Sequence, residues 1–186
     1  MFKYSFISRL KMLYNKVIKN KLIKKFNYKS CMQVPKLLKI VINRGLGNEV
    51  INNNKLLTIY KKELELISGQ KSVICYSKKD ISNFKLRKNL PIGCKVTLRN
   101  NNMYNFLDKL INIVLPRSKN FQGLKKKFDI KGNYNLGIKE QIIFPEIIMN
   151  KIINIKGMNI TFVIKNNNIK ESEALLLGFG FPFIKY

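Results

Sequence analysis

The sequence predicts an α+β domain, with helices on one face of a mainly antiparallel sheet and loops protruding from it. Three observations carry that prediction. Short runs rich in branched apolar residues, at 37–43, 71–77 and 93–99, are bounded by Gly or Pro and read as strands. Segments 54–67 and 103–115 instead repeat apolar residues every three or four positions, the period of an amphipathic helix. Strands and helices also follow one another irregularly, without the regular alternation that builds a parallel sheet.

In chain order, Phe6, Leu10, Leu13, Tyr14, Val17 and Ile18 recur at helical spacing, with Arg9, Lys11, Lys16 and Lys19 mostly on the other side. A first helix over 5–26 follows, so that 1–30 forms a basic N-terminal helix on, or extending from, a single domain of 1–186. The same acid-free stretch resembles a mitochondrial presequence. It is Lys-rich rather than Arg- and Ser-rich, and no small-residue break follows it, which favours a structural helix. Pro35 breaks the chain before the strand at 37–43, and Gly45 and Gly47 end that strand in a loop. Leu56, Leu57, Tyr60, Leu64 and Ile67 line the second helix, which Gly69 stops. Strands at 71–77 and 93–99 flank a polar, basic stretch, 78–90, closed by Pro91 and expected to protrude from the sheet edge. Met103, Phe106, Leu107, Leu110 and Val114 share one face of the third helix, with Pro116 as its stop. The region 117–139 has no sustained period and reads as a long functional loop. Strands are expected at 141–148 and 151–165, then a last helix at 170–177, where Glu171 and Glu173 suit a helix N-terminus.

Lys and Arg number 36 against 10 Asp and Glu, for a net charge of +26, and there is no histidine. The first acidic residue is Glu49. So strong a self-repulsion calls for a polyanionic partner. Lys, Asn and Ile dominate, Ala occurs only at Ala174, and five of the basic residues are Arg, so A/T-biased codon drift contributes part of the excess. The absent imidazole removes His-based metal sites and Ser-His or Cys-His nucleophiles. Asp and Glu are too sparse for a metal centre, and neither metal nor cofactor is expected. Cys31, Cys75 and Cys94 are widely spaced and odd in number, which fits reduced thiols. No apolar stretch reaches the ~20 residues of a membrane span.

Gly45-Leu46-Gly47 lacks the third glycine of a dinucleotide-binding loop. Glu63 and Glu65 lie two apart on a helix and cannot face each other. Ser68 has no base beside it. What remains is cations with interleaved aromatics: Lys78, Lys79, Phe84, Lys85, Arg87 and Lys88 in the 78–90 loop. Cations neutralise phosphates, and an exposed ring packs on a base or ribose. The lysines of 16–25 read equally as a solvated helix face or as phosphate contacts.

Ile67-Ser68-Gly69-Gln70-Lys71, Phe84-Lys85-Leu86-Arg87 and Pro91-Ile92-Gly93-Cys94-Lys95-Val96-Thr97-Leu98-Arg99 resemble the bacterial-type ribosomal large-subunit protein five family. The likeness continues through Phe26-Asn27-Tyr28, Met32-Gln33-Val34-Pro35, Phe121-Gln122-Gly123-Leu124, Gly132-Asn133-Tyr134 and Glu140-Gln141-Ile142-Ile143-Phe144-Pro145-Glu146, to Phe181-Pro182-Phe183. This resemblance implies a protein that binds 5S rRNA in the central protuberance, reaches the P-site tRNA elbow with its protruding loop, and bridges to a small-subunit head protein. Carried onto this chain, Asn43, Gln70 and Thr97 match sheet-face positions used against 5S rRNA, with Lys36, Lys71, Lys95 and Arg99 adding phosphate contacts. Lys78, Lys79, Ser82, Phe84, Lys85 and Arg87 fall in the tRNA-facing loop. Asn120, Phe121, Gly132, Asn133 and Tyr134 fall in the bridge region. Asp80, Ser82-Asn83 and an acid-poor 147–155 depart from the family pattern.

The expectation is therefore a structural, non-catalytic constituent of the large ribosomal subunit. Its partners are 5S rRNA and large-subunit rRNA, P-site tRNA, a small-subunit head protein and other central-protuberance proteins, with no membrane contact. The A/T-type composition points to an organellar ribosome, in the mitochondrial matrix before a plastid or a bacterial cytoplasm. The competing class is a free RNA-binding regulator or RNA chaperone of the same fold.

Overall fold

The computed structural model of the chain describes residues 8–47, 54–119, 121–147, 154–166 and 168–184. Helix α1 is built from Arg9–Leu13, the π turn Tyr14–Ile18 and Lys19–Phe26 in unbroken succession. Then come β1 (Lys36–Gly45), α2 (Asn54–Ser68), β2 (Val73–Tyr76) and β3 (Pro91–Leu98). Helix α3 (Asn100–Lys109) runs on into a π turn at Leu110–Val114, followed by β4 (Tyr134–Ile138), β5 (Met158–Lys165) and α4 (Ile169–Gly178). The strands form one five-stranded antiparallel sheet in the order β2-β3-β1-β5-β4. The expected α+β fold is thus present, with β2 and β4 as the sheet edges.

The chain divides into two compact units, one of 1–40, 99–135 and 161–186 and one of 41–98 and 136–160. In the first, Leu10, Tyr14, Ile18 and Leu22 make a buried stripe along α1, while Leu13 and Val17, expected in the core, are more than a third exposed. The wide π turn brings residues four apart back toward one face, so the stripe selects every fourth residue. Arg9 clasps Asp108 of α3 through two hydrogen bonds, 2.6 and 3.1 Å. All five apolar residues expected to face inward from α3 are buried. Tyr134, Phe162, Phe181 and Phe183 form an aromatic cluster with centroids 5.2–6.1 Å apart.

In the second unit, Leu57, Tyr60, Leu64 and Ile67 turn the apolar face of α2 inward. Ile42 and Arg44 are fully buried from this unit's part of β1. The Arg44 guanidinium donates to Glu63 at 2.6 Å and lies 4.8 Å from the centre of the Tyr60 ring. Burial pushes the Cys94 thiol up to about 11.

Three expected elements are corrected. The region 117–139 is not loop throughout: its end forms edge strand β4, hidden in the sequence because Asn135 and Gly137 face outward between buried Tyr134 and Ile138. No strand forms over the described part of 141–148, where Gln141–Ile143 is a 3-10 turn. Turn hydrogen bonds from Phe144 N to Gln141 O and from Ile147 N to Phe144 O direct both apolar side chains inward, and Pro145 has no N–H for a ladder. In 151–165, strand begins only at Met158. The Asn154 carbonyl and Lys156 N–H are engaged by the buried Gln141 side chain, at 2.8 and 2.5 Å, instead of a ladder. Residues 5–7 of the expected first helix, 148 of the first expected strand and 151–153 of the second lie outside the described residues.

Glu171 stands in the first turn of α4, as expected, and is buried there. Burial, with Glu171 adding to it, pushes the Tyr28 phenol well above its usual range.

Candidate nucleic-acid interface

Helix α2 ends at Gly69, whose φ of +65° lets its N–H return to Glu65 O at 2.8 Å. The turn beyond is held from two sides. Ser68 Oγ donates to Gln70 O at 3.0 Å and accepts from Gln70 N at 3.3 Å. Glu65 Oε1 accepts from Ser72 N at 3.0 Å and from its hydroxyl at 3.3 Å. Gln70 is thereby presented at the surface, and its Nε2 donates to Thr97 O on β3 at 3.1 Å. This brings Gln70 and Thr97 together. Among the described residues, Gln70 Oε1 and the side-chain hydroxyl of Thr97 have no protein partner.

Strand β3 alternates, with Cys94, Val96 and Leu98 buried and Lys95 and Thr97 on the opposite face. On that face Lys95 stands opposite Val73 of β2. Asn43 of β1 is exposed, as is Lys71 beside Gln70. Leu46 N donates to Ile92 O at 2.9 Å, so β1 runs beside β3 here. The approach is closest at Gly93, where any Cβ would collide with the Arg44 carbonyl. Lys36 opens β1 and Arg99 precedes α3. Both are exposed and belong to the other compact unit.

The 78–90 stretch projects from the end of edge strand β2, as expected of it. Ser77 N donates to Leu90 O at 2.9 Å and Asn89 N to Ser77 O at 3.0 Å, closing its neck. Inside, Ile81 and Leu86 exchange two backbone bonds around the short turn Ser82–Phe84. Asp80 Oδ1 accepts from Lys88 N at 2.6 Å. The carboxylate that departs from the family pattern therefore braces the loop from within. Lys78, Lys79, Ser82, Lys85 and Arg87 are exposed, and Phe84 is 61% exposed, not an anchor to its own sheet.

Of the bridge residues, Asn120 lies outside the described residues. Phe121 and Asn133 are half-buried, and Gly132 and Tyr134 are buried. Tyr134 donates to Lys125 O at 3.0 Å, and burial pushes its phenol up to about 12. A turn closed by Gly132 N to Asp129 O at 2.7 Å instead presents Ile130, 94% exposed. Sequence reasoning passed over Ile130 because it sits between charged residues with no period to mark it.

Gly45 and Gly47 frame Leu46, which is buried. Ser68 is fully used in holding the turn at Gln70. Among the described residues, no three His, Cys, Asp or Glu side chains are placed to hold a metal ion. No described helix is long and apolar enough to cross a membrane.

Residues 30–87 match ribosomal protein L5, and residues 91–183 match the C-terminus of the same ribosomal family. Fold and sequence together make this chain a ribosomal protein of the large subunit. The chain is 56% identical to large ribosomal subunit protein uL5 of Geotalea daltonii over 178 residues, covering 95% of this chain and 99% of that protein. It is 56% identical over 180 residues to uL5 of Karelsulcia muelleri, covering 96% of each, and 54% identical over 178 residues to uL5 of Geobacter sulfurreducens, covering 95% and 99%. The chain belongs to the uL5 family. These relatives are structural proteins of the ribosome, not enzymes.

Proposed function

We propose that the chain binds 5S rRNA in the central protuberance through Asn43, Gln70 and Thr97. The observation that carries this reading is the Gln70 amide, fixed on the Thr97 carbonyl with its own oxygen unpartnered among the described residues. Neutral donors and acceptors held in place can read a folded RNA surface and its 2′-hydroxyls. Lys71 and Lys95 beside them, with Lys36 and Arg99 at strand ends, supply salt-sensitive attraction to phosphates.

The 78–90 loop contacts P-site tRNA. Its exposed cations and Phe84 suit a phosphate backbone and a base or ribose face, and its internal bracing gives the reach a defined shape. The 120–137 segment meets a small-subunit head protein. Asn133 and Phe121 flank the contact there, while buried Gly132 and Tyr134 shape it from beneath. Other central-protuberance proteins are neighbours, the chain performs no catalysis, and no cofactor takes part. The A/T-type composition favours a mitochondrial ribosome over a plastid or bacterial one. The relatives quoted above are bacterial.

Crosslinking within purified ribosomal particles, followed by sequencing of the attached RNA, tests the assignment. The expected result is 5S rRNA attached to peptides containing Gln70 or Thr97, and tRNA attached to peptides of the 78–90 loop. Recovery of other rRNA alone at both places would sink it.

A further inference from the structure

We propose that Asn135 and Thr161 form a second RNA-binding pair, on strands β4 and β5, and that its ligand is the minor groove of an RNA double helix, read through the 2′-hydroxyls. This goes beyond the Gln70–Thr97 site, shares no residue with it and does not depend on it.

The hydrogen bond between the two side chains is the key observation. Strand β5 buries Ile160, Phe162 and Ile164, which leaves Thr161, Val163 and Lys165 on the opposite face. On β4, Tyr134 is buried and Asn135 beside it is exposed. Across the two strands Thr161 Oγ1 donates to Asn135 Oδ1 at 2.7 Å. Asn133 helps to hold the strands in this relation, its Oδ1 accepting from Ile164 N at 3.3 Å. Thr161 has one hydroxyl proton and gives it to Asn135, so toward a ligand its oxygen can only accept. The Asn135 amide is oriented by that bond, and among the described residues its Nδ2 has no protein partner. A donor and an acceptor thus stand side by side in set positions.

The surroundings select the ligand. Neither β4 nor β5 contains an acidic residue, and neither does β1, the neighbour of β5 in the sheet. Lys165 is exposed on β5 and Lys39 is half-buried on β1, which suits a polyanion. The aromatic residues of β4 and β5, Tyr134 and Phe162, are both buried, so these strands offer no ring on which a base could stack. Single strands bind largely by such stacking, and this face is therefore a poor site for them. A sheet face with a fixed donor and acceptor suits instead the wide, shallow minor groove of an RNA helix, lined by 2′-hydroxyls that both donate and accept. One such hydroxyl can donate to Thr161 Oγ1 and accept from Asn135 Nδ2. Lys165 stands about 13 Å along β5 from Thr161 at the usual strand rise, placed for a phosphate that bounds the groove.

The test uses the full chain and three probes: a short RNA duplex, the DNA duplex of the same sequence, and an unstructured oligoribonucleotide. Asn135→Ala is expected to weaken binding to the RNA duplex by roughly 2- to 12-fold, the worth of one hydrogen bond. The DNA duplex and the single strand are unaffected, and the salt dependence keeps its slope because no charge is removed. Thr161→Val lowers the RNA-duplex affinity to a similar degree, while Thr161→Ser, which keeps the hydroxyl, binds like the wild type. An unchanged RNA-duplex affinity for Asn135→Ala, an equal loss on both duplexes, or a loss with Thr161→Ser equal to that with Val would overturn the site. Gln70→Ala, measured on a Geobacter sulfurreducens 5S rRNA transcript, keeps the two sites apart. If it weakens transcript binding while Asn135→Ala leaves the RNA duplex untouched, the second site fails and the first stands. If Asn135→Ala weakens RNA-duplex binding alone while Gln70→Ala leaves the transcript untouched, the second site stands and the first fails.

Discussion

Arg44 shows how much of the core can hang on a single residue. Its side chain is fully buried, bonded to Glu63 and set against Tyr60, while its Nε and Nη2 have no hydrogen-bond partner among the described residues. A desolvated guanidinium of this kind depends on its one counter-charge. Glu63→Gln is expected to cost roughly 3–5 kcal/mol of stability, with most of it regained in Arg44→Met/Glu63→Leu. Urea denaturation of both variants checks this, and an unchanged midpoint for Glu63→Gln would show that the pair is not what holds the guanidinium. This burial was legible in part. Strand parity from Ile40 and Ile42 puts Arg44 on the inner face, but a charge there contradicts composition rules, and its partner lies 19 residues away on α2.

Among the elements, helices were the most readable, since α2 and α3 keep an uninterrupted apolar period and bury the residues that it selects, all but half-buried Leu56. Strand β5 buries alternate residues Met158, Ile160, Phe162 and Ile164, but its start was hidden by the unrelated apolar run before it. Edge strand β4 was lost because an outward Asn and Gly carry no hydrophobic signal. The 78–90 loop was visible from charge and from Pro91, whereas its bracing by Asp80 needed coordinates. That bracing makes the loop a separable device. Charge neutralisation with Lys85→Gln and Arg87→Gln is expected to leave 5S rRNA affinity intact while lowering tRNA occupancy of assembled ribosomes. Binding assays with each RNA check this, and a loss confined to 5S rRNA would mean that the loop serves the wrong RNA.

For the whole molecule, the net charge of +26 supplies attraction without selectivity, and the core sets the conditions under which the surface survives. Burial raises the Tyr104 and Tyr134 phenols from 10.0 to about 12 and the Cys94 thiol from 9.0 to about 11. Each is neutral when protonated, so the unfolded chain releases these protons at lower pH than the folded one. Their contribution is complete below pH 9 and is lost as pH rises through the folded values toward 12. Thermal melts are expected to fall over that window and to fall less in Tyr134→Phe; identical pH profiles for that variant and the wild type would contradict this linkage. The site itself was readable at this scale only through sequence resemblance, because lysine content marks a polyanion and cannot say which. The central claim is that fixed neutral amides, with lysines around them, select 5S rRNA. Calorimetry of 5S rRNA binding by Gln70→Ala tests it most directly. The expected result is a loss of roughly 1–3 kcal/mol at every salt concentration, with an unchanged salt slope; an affinity equal to that of the wild type would contradict the claim.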